Sequence, residues 1–294
     1  MIECLKAVVL GIVQGLTEFL PISSSGHLSV FQHFMNINNG GEGSNLLSVL
    51  LHIGTLLAVL LVYYKTLWEM IVEFFKAIGD IFKGKFSFKN MNETRRMIVM
   101  MIISCVPLLL LLIPIGNGNM LMDFLGGFSS DSDIIVEGFA FLFTAALLLG
   151  GTRISEKKGS RLKEVDTKSA IFVGIAQFFA AGFPGISRSG STISTGMLCG
   201  VDKEYMVRYS FILGIPAIIA ANVMEIKDAL ETNADVNILA AIIGIAVAAV
   251  VGFAAIKILE WLVKKEKFKI FGYYCLVIGV VVLIAAIVEK VLKG

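Results

Sequence analysis

Long apolar stretches alternate along the chain with shorter polar segments. A helix that crosses a bilayer needs about 20 mostly apolar residues, and six stretches satisfy that length. The pattern therefore predicts an all-α polytopic membrane protein with six transmembrane helices, at roughly 46–64, 97–115, 134–152, 206–226, 238–262 and 270–289.

Two further apolar regions, at about 2–35 and 169–200, are interrupted near their middle by FLPISSSG and FPGISRSG. Each is too broken for one simple crossing. Irregular backbone inside a membrane is tolerated only where it is buried in protein or lines a wet cavity. We therefore predict two re-entrant helical hairpins beside the six transmembrane helices.

The loop charges predict the sidedness of the chain. Loops 65–96, 153–168 and 263–269 carry nearly all of the loop Lys and Arg residues. The positive-inside rule places these three loops in the cytoplasm. Region 169–200 must then begin and end on the cytoplasmic side, and both chain termini are expected outside.

The two interrupted regions also resemble each other in sequence. Four identities recur at one constant offset: Ala7 and Ala170, Gly11 and Gly174, Gln14 and Gln177, and Pro21 and Pro184. The predicted sidedness gives the two copies opposite orientation. We therefore expect a single membrane domain, 1–294, built as an inverted-topology repeat with halves of about 1–152 and 153–294.

The composition narrows the class of protein. The chain is 56% hydrophobic and only 16% charged, whereas a soluble domain carries about 25% charged residues. The formal net charge of +2 indicates no basic surface for a nucleic acid. The partner that this composition predicts is the bilayer.

The first interruption concentrates polar chemistry. Gln14 and Glu18 are four residues apart and share one helix face. Glu18 lies near the carboxyl end of its half-helix, where the helix dipole disfavours an anion. A buried carboxylate at that position needs a cation or a proton.

Three serines and a histidine follow the proline of the first interruption. Ser23, Ser24 and Ser25 occupy the N-cap and first turn of the next half-helix, where free amide groups commonly bind phosphate. His27 follows within a turn and titrates near neutral pH. The segment therefore has groups that can bind an anion and a group that can transfer a proton.

The second interruption supplies a cation. Arg188 lies between Ser187 and Ser189 and is followed by Gly190. A guanidinium at membrane depth is a functional candidate, and its planar fork suits a phosphate. If the interruptions meet, their combined groups suit phosphoryl transfer, in which positioning and charge neutralisation dominate catalysis.

Each of these residues also has a structural interpretation. The serines could cap helices, Glu18 and Arg188 could be structural ion-pair partners, and His27 could be a satisfied interior histidine. We favour function because all of them fall in paired interruptions. His33 and His52 lie outside the interruptions, and we interpret them as structural.

At these residues the chain resembles the bacitracin-resistance family of undecaprenyl-pyrophosphate phosphatases. GIVQGLTEFLPISSSGHL and PGISRSGSTISTGML resemble its two signatures, and LLHIGTLLAV (50–59) and YSFILGIPAI (209–218) are further matches. The resemblance implies hydrolysis of undecaprenyl diphosphate to the monophosphate and inorganic phosphate. That reaction recycles the lipid carrier for peptidoglycan synthesis and confers bacitracin resistance.

The resemblance also implies residue roles and a location. Glu18 falls on the essential acidic residue, Ser24 on the proposed nucleophile, His27 on the essential histidine and Arg188 on the phosphate-binding arginine. The expected site faces the outer side of a bacterial plasma membrane and binds a polyprenyl diphosphate. The other expected phosphate contacts are Ser23, Ser25, Ser187, Ser189 and Gly190.

A divalent cation, Mg²⁺ or Ca²⁺, is the cofactor that the resemblance implies. Glu18 and Gln14 are its expected ligands, but Gln14 falls where many members carry Glu. One carboxylate and one amide oxygen should bind such a cation more weakly than two carboxylates.

Several alternatives remain open at the level of sequence. Ser24 could attack phosphorus with His27 as the general base, or His27 could activate a water directly. The inverted-repeat fold would also suit a lipid-carrier flippase or an ion-coupled transporter. Association of two copies as a homodimer is left open as well.

Overall fold

The computed structural model describes residues 2–34, 42–88, 90–116, 119–127, 134–231 and 237–293, and these residues are almost entirely helical. The α-helices over this part of the chain are α1 (Ile2–Phe19), α2 (Ser24–Phe34), α3 (Glu42–Val62), α4 (Tyr64–Phe82), α5 (Glu93–Cys105), α6 (Leu121–Gly126), α7 (Ile135–Lys158), α8 (Thr167–Gly182), α9 (Arg188–Leu198), α10 (Lys203–Glu231), α11 (Ile238–Lys264) and α12 (Lys269–Lys293). A 3₁₀ helix, Val106–Leu112, continues α5, and two short strands, β1 (Pro114–Gly116) and β2 (Asn119–Met120), pair antiparallel.

Long apolar helices confirm the prediction of an all-α polytopic membrane protein. In the described residues, five segments are long and apolar enough to cross a membrane: Glu93–Leu112, Ile135–Lys157, Lys203–Met224, Ile238–Lys264 and Lys269–Leu292. Each of them coincides with a predicted span.

The sixth predicted span, 46–64, corresponds to α3. This helix turns through 82° at a one-residue break, Tyr63, and continues as α4. The segment 65–96, which the charge pattern assigns to a loop, therefore contains a helix of 19 residues. Its structure differs from the expectation because its apolar residues recur at helical spacing among lysines and acids and do not form one uninterrupted run.

Both predicted interruptions are present as breaks between two helices. The first break, 20–23, separates α1 from α2, and the second break, 183–187, separates α8 from α9. Each contains a proline, which lacks an amide hydrogen and disfavours helix continuation. The chain turns through a positive φ in both breaks, +75° at Ser23 and +88° at Gly185.

A serine caps the half-helix that follows each break. The hydroxyl of Ser23 accepts a hydrogen bond from the amide of Gly26 at 3.1 Å. The hydroxyl of Ser187 accepts one from the amide of Gly190 at 3.0 Å. Each cap satisfies an amide that would otherwise lack a partner at a helix N-terminus.

Glycines let α1 and α8 approach their neighbours closely. A Cβ on Gly15 would lie 2.8 Å from the carbonyl oxygen of Ala248 on α11, and one on Gly174 would lie 2.6 Å from that of Ser104 on α5. Small residues at such crossings allow close backbone packing within membranes. Both half-helices that lead into the breaks are thereby held closely against a neighbouring helix, α1 against α11 and α8 against α5. The opposite orientation of the two halves across a membrane stays a prediction.

Candidate functional site

The two breaks meet at a buried ion pair. Nη2 of Arg188 donates a hydrogen bond to Oε1 of Glu18 at 2.6 Å, and the two side chains are only 17% and 6% exposed. Taking one such charge out of water without a partner would cost several kcal/mol, on the order of 3–5. The ion pair therefore allows both charges to be buried.

The guanidinium of Arg188 lies against α10. Its Nη1 points at the carbonyl oxygen of Ser210 at 3.4 Å. A Cβ on Gly214 would overlap the guanidinium. Residue 214 therefore has to be glycine for Arg188 to keep this position.

The second oxygen of Glu18 is shared by three side chains. The hydroxyl of Ser24 donates to Oε2 at 2.7 Å, and Nε2 of Gln14 donates to it at 3.2 Å. Nε2 of His52, on α3, lies 3.7 Å from the same oxygen. Glu18 thus links both breaks and a third helix.

His52 joins the site although the sequence reading treats it as structural. Its position next to Glu18 comes from the packing of α3 beside α1. The signal that points to it is the segment LLHIGTLLAV, which the resemblance already includes. Ser210 and Gly214 lie in the other matched segment, YSFILGIPAI.

The imidazole of His27 hydrogen bonds to Ser23 and Tyr274 and not to Ser24 or Glu18. Its Nδ1 lies 2.7 Å from the carbonyl oxygen of Ser23, and its Nε2 lies 2.8 Å from the hydroxyl of Tyr274 on α12. A carbonyl only accepts, so Nδ1 carries the hydrogen, and in the neutral ring Nε2 accepts from Tyr274. The imidazole also meets the edge of Phe141, with ring centroids 4.8 Å apart.

The other expected phosphate contacts join or cap the two breaks. The hydroxyl of Ser25 accepts a hydrogen bond from the amide of Gly185 at 3.1 Å. The hydroxyl of Ser189 points at the carbonyl oxygen of Glu18 at 3.5 Å. Ser23, Ser187 and Gly190 form the caps described above, so the Gly190 amide is already bound.

The donor set around Glu18 does not fit a divalent cation held by the protein alone. Arg188 takes one carboxylate oxygen, and Gln14 directs its amide nitrogen at the other. Among the described residues there is no group of three or more His, Cys, Asp or Glu side chains that could hold a metal ion. Mg²⁺ and Ca²⁺ prefer several oxygen ligands.

The arrangement is nevertheless suited to nucleophilic chemistry on a phosphate. A hydroxyl at the start of α2 is hydrogen bonded to a carboxylate that can take its proton. A guanidinium at the start of α9 lies on the opposite oxygen of that carboxylate. Positive charge and helix N-termini favour an anionic substrate.

Known proteins match this chain over nearly its whole length. The family model described as "Bacitracin resistance protein BacA" matches residues 7–281. The chain is 40% identical to "Undecaprenyl-diphosphatase" of Desulfatibacillum aliphaticivorans, covering 96% of this chain and 98% of the relative. It is 37% identical to the protein of the same name from Halothermothrix orenii and 36% identical to that from Methanobrevibacter smithii, each over 97% of this chain and 98% of the relative. The chain therefore belongs to the BacA family of bacitracin resistance proteins.

Proposed function

We propose that this protein is a membrane-embedded phosphatase that hydrolyses undecaprenyl diphosphate to undecaprenyl phosphate and inorganic phosphate. The names of the relatives support this activity. The observation that carries it is the shared carboxylate of Glu18, bound by Arg188 on one oxygen and by Ser24 on the other. A purely structural ion pair would not need the hydroxyl.

In the proposed reaction the Ser24 oxygen attacks the terminal phosphorus, and the bond from that phosphorus to the bridging oxygen breaks. Glu18 takes the proton of Ser24 and passes it to the bridging oxygen of the departing undecaprenyl phosphate. Water then cleaves the phosphoserine, which releases inorganic phosphate and restores the hydroxyl. Arg188 binds the non-bridging oxygens and neutralises the charge that develops on them.

His27 has a separate place in this proposal. Its imidazole would activate the attacking water once Nε2 leaves the hydroxyl of Tyr274. The alternative is direct attack by this water on the diphosphate, with no phosphoserine. Acid quenching during turnover tests the two routes: a phosphoserine at Ser24 supports covalent catalysis, and near-normal turnover of Ser24→Ala contradicts it.

The cofactor stays a prediction. Because the protein's own oxygens around Glu18 are too few, we propose that Mg²⁺ or Ca²⁺ is required only together with the diphosphate. Titration of the substrate-free protein with Mg²⁺ should then give no binding at millimolar concentration. Saturable binding without substrate would contradict this proposal.

We further propose a location and a role for the enzyme. It lies in a bacterial plasma membrane with both termini and the site on the outer side, and it recycles the lipid carrier for peptidoglycan synthesis. The concentration of Lys and Arg in loops 65–96, 153–168 and 263–269 supports this orientation. The prenyl tail would lie in a lipid-facing groove between helices. The proposed orientation also allows two copies of the chain to associate as a homodimer.

Phosphate release tests the activity. Purified protein in detergent is given a C15 or C55 prenyl diphosphate, with and without a divalent cation, beside Glu18→Ala and Arg188→Ala. Release by the wild type that both substitutions abolish, in protein that keeps its helical circular dichroism, supports the proposal. Bound lipid without any release would contradict it and favour a lipid carrier.

A further inference from the structure

Helix α4 exposes a row of large apolar side chains. We define its apolar face as Tyr64, Trp68, Ile71, Phe75 and Phe82, all of which are exposed, Trp68 by 65% and Phe82 by 87%. Successive helical residues are rotated by about 100°, so these five fall within an arc of about 60°. The charged residues of α4 lie on other sides of the helix: Lys65, Glu69, Glu73, Lys76 and Asp80.

Ion pairs fix the rotation of α4. Arg95, at the start of α5, donates to Oε1 of Glu73 through Nε and to Oδ2 of Asp80 through Nη2, both at 2.8 Å. Glu73 lies at the middle of the helix and Asp80 lies two turns later, so both side chains are on the side that faces α5. The apolar face consequently points away from the protein.

The bend before α4 is also fixed. Tyr63 is buried at the bend, and its hydroxyl donates to Oε1 of Glu260 on α11 at 2.9 Å. The last turns of α3 expose Leu57 and Leu61, which continue into the exposed Tyr64. The exposed apolar surface of α3 therefore continues into the apolar face of α4, which lies at 82° to α3.

We propose that α4 lies in the headgroup layer of a phospholipid bilayer, with its apolar face inserted at the boundary of headgroups and acyl chains. An amphipathic helix with aromatic residues on one side and charges on the other is stable in that layer, inserted by about 5–10 Å. Trp and Tyr favour the same depth. α4 is almost perpendicular to α3, so it runs parallel to the bilayer plane when α3 crosses the bilayer as predicted for 46–64.

The exposed lysines agree with this placement. Lys76 is exposed on the side of α4 away from the apolar face, and Lys83 and Lys85 follow the helix and are exposed too. Their ammonium groups would reach lipid phosphates while the apolar face is inserted. This placement is independent of the proposed phosphatase activity.

Fluorescence quenching tests the placement. The protein has two tryptophans, Trp68 and Trp261, so a Trp261→Phe variant of the full chain reports Trp68 alone. It is reconstituted into phosphatidylcholine and phosphatidylglycerol vesicles containing lipids brominated either near the glycerol or near the chain end. The matched control, Trp68→Phe with Trp261→Phe and Lys76→Trp, puts the only indole on the polar side of the same helix.

We expect Trp68 to be quenched at least about twofold more by shallow than by deep bromines and to be shielded from iodide. The control indole should instead be quenched by iodide. Quenching of Trp68 mainly by deep bromines would overturn the proposal, because α4 would then cross the bilayer. Shielding of Trp68 from both bromolipid and iodide would also overturn it, because another protein surface, such as a second copy, would cover the face. If the control variant loses its helical circular dichroism, the Trp68 measurement alone decides.

Discussion

The first break and the second break end in the same way, with a serine that caps the next half-helix through the amide three residues later. The residue after each cap differs. Ser24 begins α2 and binds Oε2 of Glu18, whereas Arg188 begins α9 and binds Oε1 of the same carboxylate. The same local structure thus places a hydroxyl from one half of the chain and a guanidinium from the other half on one carboxylate.

The residues that flank the two breaks differ between the halves of the chain. The position of Glu18 corresponds to Ala181 in the second half, and that of His27 corresponds to Ser191. The glutamines Gln14 and Gln177 are both fully buried, but only Gln14 has a carboxylate to bind. The first half of the chain therefore supplies the carboxylate of the ion pair, and the second half supplies its arginine.

The largest effect is expected where the halves differ most, at Glu18. Glu18→Gln keeps the shape of the side chain but removes the proton acceptor and the charge that balances Arg188. We expect the rate of phosphate release to fall about 1,000-fold. The matched control is Ala181→Ser at the corresponding position, which should stay within about twofold of wild type. A variant Glu18→Gln with a tenth of normal activity would refute the proposed proton transfer.

The position of Arg188 is expected to be the next most sensitive feature. Gly214→Ala places a methyl group where the guanidinium lies and should displace it from Glu18, lowering kcat about 100-fold. Gly150→Ala serves as the control, because a Cβ there would meet nothing within 4 Å. Equal activity of the two variants would show that Arg188 does not need this position.

A smaller effect is expected at Tyr274, the hydrogen-bond partner of His27. The second half of the chain has Ser191 at the position that corresponds to His27. Tyr274→Phe removes the hydroxyl that occupies Nε2, so the proposed activation of water no longer has to displace it. We expect kcat to be kept or raised by up to about threefold, with little change in KM. The neighbouring Tyr273→Phe is the control. The chain has three histidines, so ¹⁵N labelling of the imidazoles should resolve His27. Its Nε2 resonance should shift in Tyr274→Phe, while the hydrogen bond to Ser23 keeps the hydrogen on Nδ1. An unchanged His27 spectrum would contradict this role for Tyr274.

The smallest effects are expected at the two caps. Ser187→Ala should lower the free energy of unfolding by about 1 kcal/mol, the usual value of a serine cap. Ser23→Gly should cost less, because glycine adopts the φ of +75° found there without strain. Thermal denaturation in one detergent compares the two. A larger loss for Ser23→Gly than for Ser187→Ala would show that the caps are not equivalent.

The sequence predicts the ion pair, the two breaks and the serine caps of this site. Glu18 and Arg188 lie in apolar regions, and a buried charge needs an opposite charge, so their meeting follows from their placement. The breaks follow from Pro21 and Pro184, and the caps follow from the serines after them. The breaks and the caps depend on residues that are near one another in the chain, whereas the pairing of Glu18 with Arg188 follows from burial across 170 residues.

The remaining contacts depend on how whole helices rotate against each other. Tyr274 reaches His27 from α12, and no local pattern marks it. His52 reaches Glu18 from α3 and is marked only because it lies in the segment LLHIGTLLAV. The helix α4 was missed for another reason. Its apolar residues recur at helical spacing among lysines and acids, and a search for spans of about 20 apolar residues passes over such a segment.

The most direct test asks whether the two breaks act as one catalytic unit. Rates of phosphate release are measured for Ser24→Ala, Arg188→Ala and the double variant, each checked for folding by circular dichroism. Residues that act together show strongly non-additive effects, so we expect the double variant to be no slower than the more damaging single variant. Losses that multiply in the double variant would contradict the account, because Ser24 and Arg188 would then contribute independently.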